Sequence, residues 1–233
     1  MINLFCFPYA GGSSYVFASW KKHLNENINL KLTELAGRGT RIGEPLYPSI
    51  DEIIDDLYHK IKGDLGERFA FFGHSMGALI AYELAAKLIK ENERVPEHLF
   101  LSGRGFPKIK EDNFVHELPE EEFKNTLLNL EGTPKEIFQN EELSKLFLPI
   151  IRSDYKLVER YIPKENMSQS IPTEVSILNG INDAFTNDDL QKWEIITNKK
   201  FVIKQFDGGH FFINEKKEEV LNYISQTLET HTI

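Results

Sequence analysis

At 233 residues the chain is long enough for one sizeable core, and its 41% hydrophobic and 27% charged content is ordinary for a globular protein. A formal charge of −9 without a clustered Lys/Arg stripe argues against nucleic acid as a partner, because phosphate binding needs such a stripe. One cysteine, Cys6, rules out an internal disulfide, and no apolar run reaches membrane-spanning length.

The first strand is predicted at 2–7, ended by Pro8, and the absence of a basic segment before it argues against a signal peptide. Cys6 falls inside it and reads as a small buried hydrophobe. The small-residue turn Pro8-Tyr9-Ala10-Gly11-Gly12-Ser13-Ser14 feeds a helix over 15–24 and could approach a ligand closely. No Lys-Ser/Thr pair follows its glycines, and their spacing matches neither the P-loop nor the dinucleotide pattern. A second strand is predicted over 28–35, then a loop containing Arg38 and Arg41, whose guanidiniums are expected to brace it. Pro48-Ser49 opens an amphipathic helix to about Lys62, with Ile50, Ile53, Ile54, Leu57 and Ile61 on one face.

An apolar run at 69–72 is followed by Gly73-His74-Ser75-Met76-Gly77 and a helix over 78–90. Strand, serine and helix in that order make a nucleophile elbow: a tight turn strains the serine backbone and lifts its hydroxyl clear of the sheet, and small flanking residues let strand and helix approach. The N–H of Met76, at the start of the helix, is the first candidate oxyanion donor, and that of Ala10, or its neighbour Tyr9, is the second.

Another strand is predicted at 98–103. From 104 to 170 no strand is predicted, and helices with surplus apolar residues take over, interrupted by Pro134 and Pro149, the latter expected to bend or break its helix. This insertion is expected to be a mobile lid with few and weak contacts to the core, in which Phe147, Leu148 and Ile151 line an acyl chamber; the alternative is an ordinary fixed helical layer in which the same residues are core. Strands resume at 174–178 and 201–206, and a helix over 216–228 closes the chain. The alternation predicts an α/β fold with a mostly parallel sheet: 1–103 and 171–233 form the core, 104–170 the insertion.

A serine hydroxyl is a weak nucleophile, so Ser75 needs a base and the base an orienting carboxylate. His210 alone among the seven histidines follows a strand in a Gly-Gly loop, whereas the side chain of His74 should point away from the base position. Asp183, just past a strand end, gives the chain order Ser, Asp, His; Asp188, Asp189 and Asp207 compete with it. No pair of histidines has metal-ligand spacing, and neither a metal nor a cofactor of the protein's own is expected.

Phe7-Pro8-Tyr9-Ala10-Gly11-Gly12, Gly37-Arg38-Gly39-x-Arg41-x-x-Glu44-Pro45, the elbow, Leu118-Pro119-x-x-x-Phe123, Gly132-Thr133-Pro134, Leu148-Pro149-x-x-Arg152-x-Asp154-Tyr155 and Phe206-x-Gly208-Gly209-His210-Phe211 together resemble the type II thioesterases of nonribosomal peptide and polyketide synthesis. The likeness spans almost the whole chain; Ala36 before Gly37 and Ala78 after the elbow depart from the family's usual residues. The resemblance implies the α/β-hydrolase fold and a stand-alone editing enzyme. Such an enzyme would remove stalled or wrong acyl groups from the phosphopantetheine arm of a carrier protein, with Tyr9 and Phe211 beside the substrate. The expected enzyme is a cytoplasmic monomer whose partners are carrier domains. The alternatives are a serine esterase or acyltransferase acting on free small-molecule esters or acyl-coenzyme A, and a non-catalytic binding protein on the same fold.

Overall fold

The computed structural model describes residues 1–107, 114–130, 132, 135–163 and 170–230. Six strands, β1 (Ile2–Phe7), β2 (Ile28–Leu32), β3 (Phe69–His74), β4 (His98–Ser102), β5 (Glu174–Gly180) and β6 (Phe201–Phe206), form one sheet in the order β2-β1-β3-β4-β5-β6, every neighbouring pair parallel. β3 and β4 are buried along their whole length, which is why they read as unbroken apolar runs. Alternate residues serve opposite faces. Phe5, Phe7, Phe69, Phe71, Leu99 and Leu101 pack under α1 (Ile50–Ile61) and α2 (Met76–Lys90). Leu4, Cys6, Phe72, Phe100 and Phe206 pack under α7 (Lys217–Thr230) and the segment Ser14–Lys22. That segment winds as a 3₁₀ helix, its start pinned by Glu34, which accepts hydrogen bonds from the Ser13 and Ser14 hydroxyls and the Ser14 N–H.

The chain leaves β1 for β2 at one edge and returns to β3 on the other side of β1, so the direction of winding reverses between β1 and β3. In open parallel sheets ligands bind outside the carboxyl ends of the strands at that reversal. The Pro8–Ser14 turn and the Ser75 elbow flank it.

Between β4 and β5 the described elements are all helical: a short 3₁₀ turn (Val115–Glu117), α3 (Glu120–Asn129), α4 (Lys135–Gln139) and α5 (Glu141–Glu159). They enclose a small apolar cluster of their own, Phe123, Leu127, Leu148 and Ile151. The interruption expected at Pro134 lies outside the described residues. At Pro149 no break occurs, and α5 runs through it. The carbonyl that loses its partner there belongs to Lys145, and Lys145 and Pro149 both lie on the exposed side, while Leu148, Ile150 and Ile151 hold the inner side in place.

α5 also departs from the expected few and weak contacts with the core. Asp154 forms a buried bidentate pair with Arg38, Nη1 to Oδ2 at 2.5 Å and Nη2 to Oδ1 at 2.8 Å, and accepts a third hydrogen bond from the Gly11 N–H at 2.7 Å. Tyr161, just beyond α5, donates to Glu83 of α2, and Leu157 joins the core beneath α1 and α2. Arg38 thus braces more than its own loop. Arg41 does the local bracing, through Glu44, Asp56 and the Glu34 carbonyl.

Candidate active site

Ser75 has φ 56° and ψ −110°, a left-handed backbone that side chains other than glycine rarely adopt. Its neighbours make the strain possible. A Cβ on Gly73 would lie 1.9 Å from the Gly77 carbonyl oxygen, and one on Gly77 would lie 2.0 Å from the Phe7 carbonyl oxygen, so only glycine fits where helix, elbow and β1 meet. The Ser75 N–H donates to the Ser102 carbonyl at 2.7 Å and ties the elbow to β4. Met76 is the first residue of α2, where an N–H has no intrahelical acceptor.

His210 follows β6, and Asp183 follows β5 in a turn closed by its own N–H to the Gly180 carbonyl at 3.1 Å. His210 Nδ1 lies 2.9 Å from Asp183 Oδ2, and Asp183 Oδ1 accepts the Ala184 N–H at 2.7 Å. The Asp183 side chain is 3% exposed, the imidazole 20%. The competing acids are occupied elsewhere. Asp189 closes a capping box with Thr186 at the start of α6 (Asn187–Gln191), Asp188 is exposed in its first turn, and Asp207 is exposed near Lys216.

His74 is fully buried behind His210, their rings 5.1 Å apart, and its Nδ1 meets the Ser102 hydroxyl at 2.9 Å. Burial first, and then the neighbouring His210, hold the His74 imidazole well below the usual histidine range, so it stays neutral. Gly103 (φ 59°) lets both rings approach: a Cβ there would stand 2.5 Å from the His74 ring.

Ser75, Asp183 and His210 line one cavity of about 280 Å³, together with Tyr9, Ala10 and Phe211. Tyr9 and Phe211 meet edge to face at 4.9 Å, and Gly132 of the insertion packs onto the Phe211 ring. The expected lining residues Phe147, Leu148 and Ile151 are not part of this wall; Leu148 and Ile151 belong to the insertion's own cluster, with half-buried Phe147 packed on it. The α5 stripe is right but the turn is wrong: Tyr155, Val158 and Glu159, farther along, reach the cavity, joined by Val115, Leu127 and Leu130. Ile151 sits instead against Gly11, where a Cβ would be 2.5 Å from its side chain. Arg104 and Glu159 also line the cavity, and nothing in the sequence pattern singled them out. The Arg38–Asp154 pair was missed as well, although the spacing Arg152-x-Asp154-Tyr155 is the signal that could have drawn attention to it. Among the described residues no group of acidic, histidine or cysteine side chains could hold a metal, and no helix is long and apolar enough to cross a membrane.

Residues 2–228 match the protein family described as the thioesterase domain. The chain is 34% identical over 237 residues to the linear gramicidin dehydrogenase LgrE of Brevibacillus parabrevis, covering 100% of this chain and 89% of that protein. It is 32% identical over 240 residues to the medium-chain S-acyl fatty acid synthase thioesterase of Rattus norvegicus, covering 100% and 90%. Among solved structures, ClbQ from the colibactin NRPS/PKS pathway superposes with a TM-score of 0.92 at 35% identity, over 98% of this chain and 97% of that one.

Proposed function

The chain belongs to the thioesterase domain family, and from that premise we propose that it is a stand-alone serine thioesterase that clears stalled or wrong acyl groups from the phosphopantetheine arm of carrier proteins. The observation that carries this reading is the His210–Asp183 contact at the wall of the same cavity that Ser75 enters from its strained elbow. The relatives' names support a carrier-bound substrate, since one acts in fatty acid synthesis and another comes from an NRPS/PKS pathway.

In the proposed cycle His210 takes the Ser75 proton as the oxygen attacks the thioester carbonyl carbon. The N–H groups of Met76 and Ala10 receive the oxyanion, a contribution of about 3 kcal/mol per donor. The carbon–sulfur bond then breaks, and His210 returns the proton to the departing pantetheine thiolate, leaving an acyl-serine. Water loses a proton to the same imidazole and attacks the ester; the carboxylic acid departs and Ser75 regains its proton. Asp183 holds the histidine in the tautomer that presents Nε2 to the serine and stabilises its cation. Ser75 Oγ has no hydrogen bond to a described residue, and in this scheme its contact with His210 tightens when substrate fills the cavity. Phosphopantetheine enters as part of the substrate. The insertion's helices cover the acyl chain and shield it from bulk solvent.

The test is intact-protein mass spectrometry on a panel of acyl-loaded carrier proteins. Wild-type protein should return the free phosphopantetheine form and release the acid, faster than it cleaves matching coenzyme A thioesters or simple esters. Ser75→Ala should form no acyl-enzyme and no fluorophosphonate adduct while keeping its fold. Carrier turnover at the wild-type rate in Ser75→Ala would sink the reading; equal rates on free esters would favour an esterase.

A further inference from the structure

Besides the phenols of Tyr9 and Tyr155, four ionisable side chains line the cavity: Arg104, Glu159, Asp183 and His210. Both carboxylates are already engaged. Glu159 accepts the Val115 and His116 N–H groups at 2.9 and 3.0 Å and meets His116 Nδ1 at 2.7 Å, and Asp183 is held by His210 and Ala184. Arg104 differs, because its guanidinium has no hydrogen bond or ion pair to any described residue. Its backbone is nevertheless fixed on both sides. The Gly103 N–H donates to the Leu178 carbonyl at 2.8 Å, the Arg104 carbonyl accepts from Trp193 Nε1 at 2.9 Å, and the Phe106 N–H donates to the Asp189 carbonyl at 3.0 Å. The side chain is half-buried, and its desolvation pushes the guanidinium down to about 10, so it remains a cation at neutral pH, in a wall made largely of Leu, Val, Phe and Tyr side chains.

A cation among apolar groups without a partner is costly, and an occupant that offers an acceptor relieves that cost where a hydrocarbon cannot. We propose that Arg104 is a specificity-determining residue that reads an oxygen acceptor on the acyl group, so that the chamber prefers acyl chains bearing a carboxylate or keto oxygen over plain alkyl chains of equal length. The inference rests on the thioesterase reading and names its substrate class. The acceptor must belong to the acyl side, because Arg104 shares the chamber with Ser75 while the phosphate of the carrier's arm lies at the opposite end from the thioester. A planar five-donor fork matches a carboxylate in two bonds, which makes a carboxylate the better ligand and a single keto oxygen the weaker one.

The experiment uses carrier protein loaded with hexanoyl, 3-oxohexanoyl or adipoyl groups. Wild-type kcat/KM should be about ten- to a hundredfold higher for adipoyl than for hexanoyl, the range of a hydrogen bond to a charged group, with 3-oxohexanoyl between them. Arg104→Leu should bring the adipoyl-to-hexanoyl ratio close to one, and Arg104→Lys should restore part of the carboxylate preference. Arg104→Gln serves if the leucine variant does not fold. A second readout needs no turnover: Ser75→Ala should bind adipate more tightly than hexanoate by calorimetry, and Ser75→Ala/Arg104→Leu should not. A wild-type ratio near one, or an equal fall on all three substrates in Arg104→Leu, would overturn the proposal. Failure to cleave any carrier thioester would strike at the thioesterase reading instead, and the binding comparison would then decide on Arg104.

Discussion

The Ser75 backbone is strained at a sharp turn that Gly73 and Gly77 permit by carrying no Cβ where none would fit, and the consequences of that geometry are testable one side chain at a time. Asp183 is the nearest, since it is the only acid whose carboxylate touches His210 among the described residues. Asp183→Asn should lower kcat by up to about ten-thousand-fold by favouring the wrong histidine tautomer. Asp188→Asn and Asp207→Asn should change it severalfold at most, and steady-state rates on one carrier thioester will separate the three. His74 makes a different prediction. Its pKa is depressed in the folded protein, whereas in the unfolded chain it returns to about 6.5. The unfolded state therefore binds more protons as pH falls below that value, and stability, complete above it, declines towards the folded pKa by at most roughly 1.4 kcal/mol per pH unit. Urea midpoints at pH 7.5 and 5.5 should differ in wild type by more than in His74→Phe; an identical pH slope in the two would assign the effect to another group.

α5 connects the insertion to the chemistry through one carboxylate. Asp154 holds both the Arg38 guanidinium and the Gly11 N–H, next to Ala10, the second proposed oxyanion donor. Asp154→Leu alone leaves a buried guanidinium unpaired and should cost about 3–5 kcal/mol in denaturant unfolding. Arg38→Met with Asp154→Leu should recover most of that loss, since an apolar pair can replace a buried ion pair. It should not recover kcat, because the Gly11 N–H stays without its acceptor. A double variant with full activity would remove Asp154 from loop positioning. The sequence made the elbow, the histidine loop and the alternating elements legible because each is a local pattern, a Gly-x-Ser-x-Gly turn or an apolar period. Arg38 and Asp154 each stand in a recognisable motif, but their pairing across 116 residues has no local signature. The cavity wall failed for a similar reason: the α5 stripe was readable, but which of its turns meets the chamber depends on where the helix docks.

Across the molecule, two large clusters fill the faces of the sheet, and a third, smaller one lies inside the insertion. Small satellite clusters open at lower free energy than the main core. Hydrogen exchange should therefore find α3 and α4 opening well below the global limit, β3 and β4 at it, and the Arg38-anchored half of α5 close to β3. Addition of an unhydrolysable acyl-carrier should slow α3 and α4 most. Uniform protection across all of these would mean a rigid cap. The mostly parallel sheet was foreseeable from the alternation of strands and helices, but its strand order, with the reversal between β1 and β3, was not, because alternation leaves the placing of neighbours open; nor was the anchoring of α5, because surplus apolar residues look alike whether they cover a cavity or grip a core. The grip has a consequence for redesign. The stretch between β4 and β5 looks like a cassette that could be exchanged with a relative's to change which acyl chains are accepted. A graft lacking an acid at the position of Asp154 would strand Arg38 in the host and release Gly11, giving a chimaera that folds poorly and turns over slowly whatever its new chamber admits. The unit of exchange is the insertion together with Arg38 and the Tyr9–Gly12 turn, three stretches of chain that have to travel together.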